Sequence, residues 1–293
     1  MQRFGYLTVD GLASGAVYAT FALSLVLIWR AGRIVNFAQG AIAVASAYLA
    51  WSVTAHTHSY WLGFVAALAG GALLGVVVER GVMRFVPADR PMDAVIVAVG
   101  VMLVVQGVLG MLYGADHRPV PAPLPTGVWR VGGVATVSPY QLFVVGAVAV
   151  LVAALALLFT RTRLGLRLRA AAFAPEVARL LGVRVARMTT VAWALASAAG
   201  ALAAMLVLPS GLGLTPTAMD GVFITAFTAA VIGGLDSAVG AVVGGLAVGV
   251  VVNYVTGYAG NPNLANLAVL ALLVIVLLVR PGGLFSGVAV RRA

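Results

Sequence analysis

The chain has 293 residues, is 62% hydrophobic and 9% charged, and carries a formal net charge of +10. Soluble domains hold about a quarter charged residues, so a mean hydropathy of +1.09 indicates a polytopic membrane protein. All 18 basic residues are arginine and there is no cysteine, which excludes disulfides, thiol nucleophiles, Schiff-base lysines and the phosphate-loop pattern GxxxxGK[ST].

A helix that crosses a bilayer needs about 20 mostly apolar residues. In chain order, the runs 11–29, 34–55, 60–78, 94–113, 139–159, 188–208, 237–257 and 264–279 meet or approach that length. A ninth run, 221–235, is shorter and reads as a tilted helix or a re-entrant half-helix. The first run lacks a basic region followed by an A-x-A cleavage pattern, so it reads as a retained span. The expected fold is all-α, a single transmembrane domain over 1–293 with eight or nine transmembrane helices, some broken or re-entrant.

Two segments interrupt the apolar pattern. "RIVNFAQGAIAVASAY" (33–48) puts Asn36, Phe37, Gln39 and Gly40 at the start of the second span. They read either as lining of a pathway or as an interfacial cap. "VIGGLDSAVGAVVGG" (231–245) puts Gly233, Gly234 and Asp236 between two runs, as pathway lining or as a tight turn. Glycines recur four residues apart at Gly11 and Gly15, Gly71 and Gly75, Gly240 and Gly244, and Gly245 and Gly249. In lipid such pairs let helix backbones approach closely.

Chemistry inside the spans is sparse. No Asp, Glu, Arg or His occurs from 188 to 219 or from 237 to 279. Intramembrane acids and bases mark proton relays and ion pathways, so an ion-coupled secondary transporter or channel is the rival reading and lacks an energy-coupling site. Enzyme patterns such as HExxH, paired carboxylates and GxSxG are missing too, and no metal-ligand set is present. No catalytic residue is expected.

Arginine placement orients the chain. If all nine runs cross, the loops 30–33, 79–93 and 160–187 and the tail after 280 share a side that holds 15 arginines. The opposite side holds Arg3, Arg118 and Arg130. By the positive-inside rule the arginine-rich side is cytoplasmic, with the N-terminus outside and the C-terminus inside. The main outside loop contains "RPVPAPLPTG", with four prolines at alternate positions, and reads as a stiff, extended spacer or a docking surface.

The loop 160–188 carries "RAAAFAPEVARLLGVRVARM" at its end. Pro175 suits the first helical position, Glu176 the positive end of the helix dipole, and Gly182 the residue just past the C-terminus. The result is a helix of about two turns with Val177, Ala178 and Leu181 on one face and Leu180 beside them. A helix this short is marginal alone. It is either an interfacial helix or one that docks on a partner.

The pattern Glu176, Val177, Ala178 and Gly182 resembles the EAA-x-x-x-G coupling loop of ABC importer permeases. "GLASGAVYATFALSLVLIWRAGRIVNFAQGAIAVASAY", "PEVARLLGVRVARM", "AVIGGLDSAVGAVVGG" and "RPGGLFSG" recur in the order found in branched-chain amino acid permeases of the LivH type, over residues 11 to 287. Gln39 stands where that family usually has histidine, and Asp236 where glycine is usual. The resemblance implies one half of an importer of branched-chain amino acids, related small amino acids or amides, in the bacterial cytoplasmic membrane. It implies a second permease, two cytoplasmic ATPases and an external substrate-binding protein. ATP would bind the partner subunits, and this chain would need no cofactor of its own. Pro175, Glu176, Val177, Ala178, Leu181 and Gly182 would couple to the ATPase.

Overall fold

The structure is a computed structural model that describes residues 2–87, 90–131, 134–135, 137–259, 262–280 and 282–285. Lipid offers no partners for backbone N–H and C=O groups, so spans must close their hydrogen bonds internally. Helix accordingly dominates. Among the described residues, helix α1 is Gln2–Gly32, α2 Gln39–Thr57, α3 Tyr60–Gly81, α4 Pro91–Tyr113 and α5 Pro139–Arg161. Two short helices follow, α6 Arg163–Phe173 and α7 Pro175–Leu180, then α8 Val185–Val207, α9 Asp220–Gly233, α10 Ala238–Ala259 and α11 Pro262–Val279. The only described strands are the two-residue β1 Arg130–Val131 and β2 Val134–Ala135, an antiparallel hairpin before α5.

Among the described residues, six helices are long and apolar enough to cross a membrane: α1, α3, α4, α5, α8 and α10. The helix α9 and the stretch Leu264–Val279 are shorter apolar helices. The run 34–55 differs from a simple span, because α2 begins only at Gln39 and residues 34–38 are not helical. The 14 residues of α9 rise about 21 Å, less than a hydrocarbon core of about 30 Å. Its first residue, Asp220, accepts 2.9 Å from Gln106 Nε2, within α4. Helix α9 thus starts inside the bundle. The connection 208–219 that feeds it is irregular, yet Leu214 and Met219 are fully buried. Irregular backbone at that depth is tolerated only inside protein or around a cavity.

Helix α1 is the central post. It packs antiparallel along α10, and Gly11 and Gly15 meet the Val250 and Leu246 backbones. A Cβ on Gly245 would lie 2.4 Å from the Ala19 Cα. Helices α3 and α8 form a second antiparallel seam, where Gly71 faces Ala201 and Gly75 faces Ser197. Such contacts gain dispersion energy that lipid tails do not supply by exclusion. The helices α4, α5 and α11 stay on the outside, with large apolar side chains such as Met111, Val150 and Leu278 exposed. In α5 the start is fixed by a capping box, Ser138 accepting from Gln141 N at 3.1 Å while Gln141 Oε1 accepts from Ser138 N at 2.9 Å.

The bundle has two chemically distinct ends. At one, the chain around Arg30–Ile34, Glu79–Pro87, Ala171–Arg179 and Val185–Thr189 closes around a common cavity, and Arg33 reaches Asp236 of the α9–α10 turn. At the other end Arg118 stands over Trp51, 4.7 Å from its ring centroid, and donates to Tyr113 O. Arg118 and Leu214 also exchange backbone hydrogen bonds of 3.1 and 2.8 Å. The proline-rich loop is therefore strapped to the 208–219 connection, and its Val120 and Ala122 pack on the core.

Candidate coupling segment and pathway residues

The route from α5 to α7 is built by local chemistry. Helix α5 ends at Arg161, and Thr162 Oγ1 caps α6 by accepting from Gly165 N at 3.0 Å. A Cβ on Gly165 would stand 2.0 Å from Leu158 O, so the sharp reversal needs glycine there. Helix α6 buries Gly165, Leu168 and Ala171 and exposes its arginines. It stops at Ala174, whose extended backbone (φ −141°, ψ 77°) is what a following proline favours.

Helix α7 then runs Pro175–Leu180, with Pro175 and Glu176 in its first turn. Leu181 is its cap residue, and Gly182 takes the left-handed conformation at φ +80°. Gly182 N bonds to Arg179 O at 3.0 Å and Val183 N to Ala178 O at 2.9 Å. This is a Schellman closure, and it satisfies the carbonyls a helix end leaves open. Ala178 is 2% exposed and is the residue that seats the helix on its own protein. The other apolar residues face away: Leu181 is 78% exposed, Leu180 88%, and Phe173 at the end of α6 93%. Val177 is also exposed. The predicted apolar face is thus split, with Ala178 turned inward and its neighbours outward.

Three residues separate this cap from α8, and α8 is tied to the bundle by a cluster that sequence reading missed. Glu79, 3% exposed, accepts from Thr190 Oγ1 at 2.7 Å and from Arg84 Nη2 at 3.3 Å. Arg84 Nη2 also donates to Thr190 Oγ1 at 3.1 Å. Glu79 is the one buried carboxylate among the described residues. The available signal was an acid that closes an apolar run, with an arginine five residues later; nothing in the sequence pointed to Thr190.

The pathway candidates lie in the non-helical stretch before α2, on the start of α2, at the end of α9 and in the α9–α10 turn. Asn36 and Gln39 are fully buried. Asn36 Oδ1 accepts from Ala38 N at 3.1 Å, and Asn36 Nδ2 donates to Gln39 Oε1 at 3.1 Å. Gln39 Nε2 donates to Ala196 O at 2.9 Å, which joins the start of α2 to the middle of α8. Phe37 packs against Phe223 and Phe227 of α9 at centroid distances of 5.6 and 6.4 Å. Gly40 faces Met219 and Phe223. Six residues beyond Phe227, Gly233 is pressed against Gly240, where a Cβ would sit 2.0 Å from the Gly240 O. Gly234 turns the chain at φ +98°, and Ser237 Oγ caps α10 by accepting from Gly240 N at 2.9 Å. Asp236 is half exposed, paired with Arg33 at 2.5 Å. The chain's later segment returns to this turn: Leu284 N bonds to Ile232 O at 2.8 Å and Phe285 N to Gly233 O at 3.2 Å. Among the described residues no three His, Asp or Glu side chains form a group able to hold a metal ion.

Comparison with known proteins gives the family of the chain. Residues 7–278 match the family described as the permease component of branched-chain amino acid transport systems. The high-affinity branched-chain amino acid transport system permease protein LivH of Salmonella typhimurium is 28% identical over 292 residues, covering 94% of each chain. The corresponding protein BraD of Pseudomonas aeruginosa is 26% identical, covering 95% of this chain and 94% of its own. A probable LivH of Methanocaldococcus jannaschii is 25% identical, covering 90% of this chain and 86% of its own. In fold, the chain is similar to a chain of PsaBC from Streptococcus pneumoniae in complex with Fab, with a TM-score of 0.52, 12% identity, and coverage of 93% of this chain and 91% of that one. The chain therefore belongs to the branched-chain amino acid permease family and is the multi-pass membrane permease subunit of an ABC importer, a transport component and not an enzyme.

Proposed function

We propose that this chain, as a single transmembrane domain with its coupling loop at 160–188, forms half of the pathway through which branched-chain amino acids or related small amino acids and amides enter the cell. A second permease subunit, homologous or identical, supplies the other half. Two cytoplasmic ATPases bind the ATP, and an external binding protein delivers the substrate. The arginine-rich end faces the cytoplasm, following the positive-inside rule, so the N-terminus is outside and the C-terminus inside. The nine apolar helices, with α2 and α9 as the broken pair, then cross in alternation. The relatives, permeases of branched-chain amino acid transport systems, support the substrate class.

Helix α7 is the coupling helix. The observation that carries this is its exposed apolar surface, Leu180 and Leu181 above all, on a helix too short to stand alone but closed at both ends by proline and glycine. A cleft in the ATPase that buries either leucine gains roughly 1.5–3 kcal/mol. Closure of the ATPases on ATP pushes α7, and the short link to Val185 passes the stroke to α8. Glu79 then carries it to α3, and the Gln39 bond to Ala196 O carries it to the start of α2. There the segment of Asn36, Phe37, Gln39 and Gly40, with Gly233, Gly234 and Asp236 at the end of α9, shifts within the bundle and so opens or closes the pathway.

Co-purification tests the coupling helix. Leu181→Asp places a carboxylate on a side chain that is exposed in the permease, so insertion and folding stay intact while the ATPase cleft must bury an unpaired charge. The variant should lose its ATPase and with it substrate-stimulated ATP hydrolysis. If Leu181→Asp retains both, α7 is not the coupling helix; if it instead fails to insert, α7 is an interfacial membrane helix.

A further inference from the structure

The connection 208–219 is held near both ends and pinned once in between. Before it, Tyr140 of α5 donates to Leu206 O at 2.7 Å, and just past it Gln106 of α4 donates to Asp220 at 2.9 Å. Among the described residues, 211–217 hydrogen-bond outside 208–220 only through Leu214, and only to Arg118. These two residues exchange both backbone bonds, yet they form an isolated bridge with no ladder on either side. Gly211 at φ +105° and Gly213 at φ +65° lie just before it, and the His117 ring leaves no room for a Cβ on Gly213. The Arg118 guanidinium sets the pin. It lies 4.7 Å from the Trp51 ring centroid and 5.9 Å from that of Tyr113, and it donates to Tyr113 O at 2.7 Å. Tyr113 is itself fixed by stacking on Tyr48 at 4.4 Å and by a 3.0 Å bond to Ser52. Arg118 nevertheless forms no ion pair with a described residue, and its Nε is buried without a hydrogen-bond partner.

We infer that this bridge is a latch on the outer end of the pathway, with Arg118 as its positioning residue, and that it parts in each transport cycle. The inference rests on the proposed function, which assigns the outer face and the pathway. Three observations converge on it. The first is what the latch holds: the same connection ends at Met219, which faces Gly40 together with Phe223, so release of Leu214 frees the chain that abuts the start of α2. The second is how lightly it holds. Two backbone bonds and a cation over aromatic rings close it, and the buried Nε regains water when it opens. Arg84 at the opposite end is given a carboxylate by Glu79; Arg118 is not. The third is the contrast between its two sides. The loop is the fixed side, stiffened by alternate prolines from Pro119 to Pro125 and seated through Val120 and Ala122 on the core. The connection is the moving side, where two left-handed glycines supply a swivel that other residues adopt only with strain.

The chain has no cysteine, so an introduced disulfide can lock the latch. Residues that exchange both bonds of an antiparallel pair have Cα atoms about 5.5 Å apart, within disulfide reach. Arg118→Cys/Leu214→Cys is reconstituted with the partner permease, both ATPases and the binding protein, and ATP-driven leucine uptake is measured oxidised and again after reduction of the same sample. Oxidation should bring uptake to background and reduction should restore it. A second measurement needs no transport. Leu214 is fully buried, so the thiol of Leu214→Cys should react slowly with a membrane-impermeant maleimide added outside. Adding Arg118→Gln should speed that reaction roughly tenfold, and Arg3→Gln should not change it. Thermal unfolding confirms that each variant is folded. If Leu214→Cys is not, His117→Cys/Thr215→Cys, one residue out on each strand, replaces the pair and Thr215→Cys carries the label. Equal uptake in both redox states, with the disulfide verified by mass spectrometry, makes this a strap that stays shut and overturns the latch. A labelling rate indifferent to Arg118→Gln overturns it as well, whether or not the reconstituted complex transports. Reaction only from the opposite face of the vesicle overturns the orientation in the proposed function, and an outer latch with it.

Discussion

A few polar side chains do work out of proportion to their number, because each is fully enclosed. Asn36 turns the chain ahead of α2 by accepting from Ala38 N and braces Gln39, which in turn holds α8. Asn36→Leu removes the partner of Ala38 N and Gln39 Oε1 in a site water does not reach, and leaving a buried group unsatisfied costs about 1–3 kcal/mol. The variant should unfold at a lower temperature in detergent and transport more slowly while still co-purifying with its ATPase. Normal transport would return 33–40 to a purely structural cap. Glu79 presents a sharper case. Glu79→Gln keeps the volume and one acceptor for Thr190 but loses the charge-assisted bonds to Arg84. If α8 drives α3 through this carboxylate, ATP hydrolysis should persist at near native rate while substrate moved per ATP falls severalfold. A parallel fall in both would mean that Glu79 only stabilises the fold.

At the level of elements, the sequence announced what lipid chemistry dictates and was silent where tertiary contacts decide. Each long apolar run became a helix, and all four glycine pairs four residues apart lie at helix crossings. Periodicity could not show that α2 begins only at Gln39, since residues 34–38 are shaped by the Asn36 turn onto Ala38 N and by the packing of Phe37 on α9, neither of which leaves a periodic signal. Nor could it show that the irregular connection after Ser210 would bury Leu214 and Met219, or that the proline-rich loop would be fastened to it through Arg118. Pro175, Glu176 and Gly182 were legible because a helix cap is local chemistry; the inward turn of Ala178 was not, because it depends on what lies beneath. Three glycine substitutions separate packing from coupling. Gly245→Leu drives a side chain into the α1 backbone, whose Ala19 Cα already stands 2.4 Å from the added Cβ position, so folded protein should be lost. Gly146→Ala in α5, with nothing within 4 Å, should be tolerated. Gly182→Val also has open space, but it forces a β-branched residue to φ +80°. It should leave the bundle folded while tilting α7 and uncoupling hydrolysis from transport.

For the whole molecule, the separation of charge is the main organising fact. The 15 arginines of one set of loops and the three of the other belong to opposite ends of the bundle wherever the structure describes them. A reporter inserted near Pro123 should therefore be external, and one fused after Arg292, which lies outside the described residues, should be cytoplasmic. Both on one side would break the alternation of spans.

The absence of Asp, Glu, Arg and His from 188 to 219 and from 237 to 279 leaves these stretches without the ionisable side chains of a proton relay, and in the proposed function energy enters through α7 instead. Uptake of labelled leucine into proteoliposomes that hold this permease, its partner permease and both ATPases, with binding protein supplied at the outer face, decides the matter. With ATP enclosed and no ion gradient, leucine should accumulate, and Leu181→Asp at equal permease content should reduce accumulation to background. Accumulation by the permease without ATPases, driven by an imposed proton or sodium gradient, would contradict it.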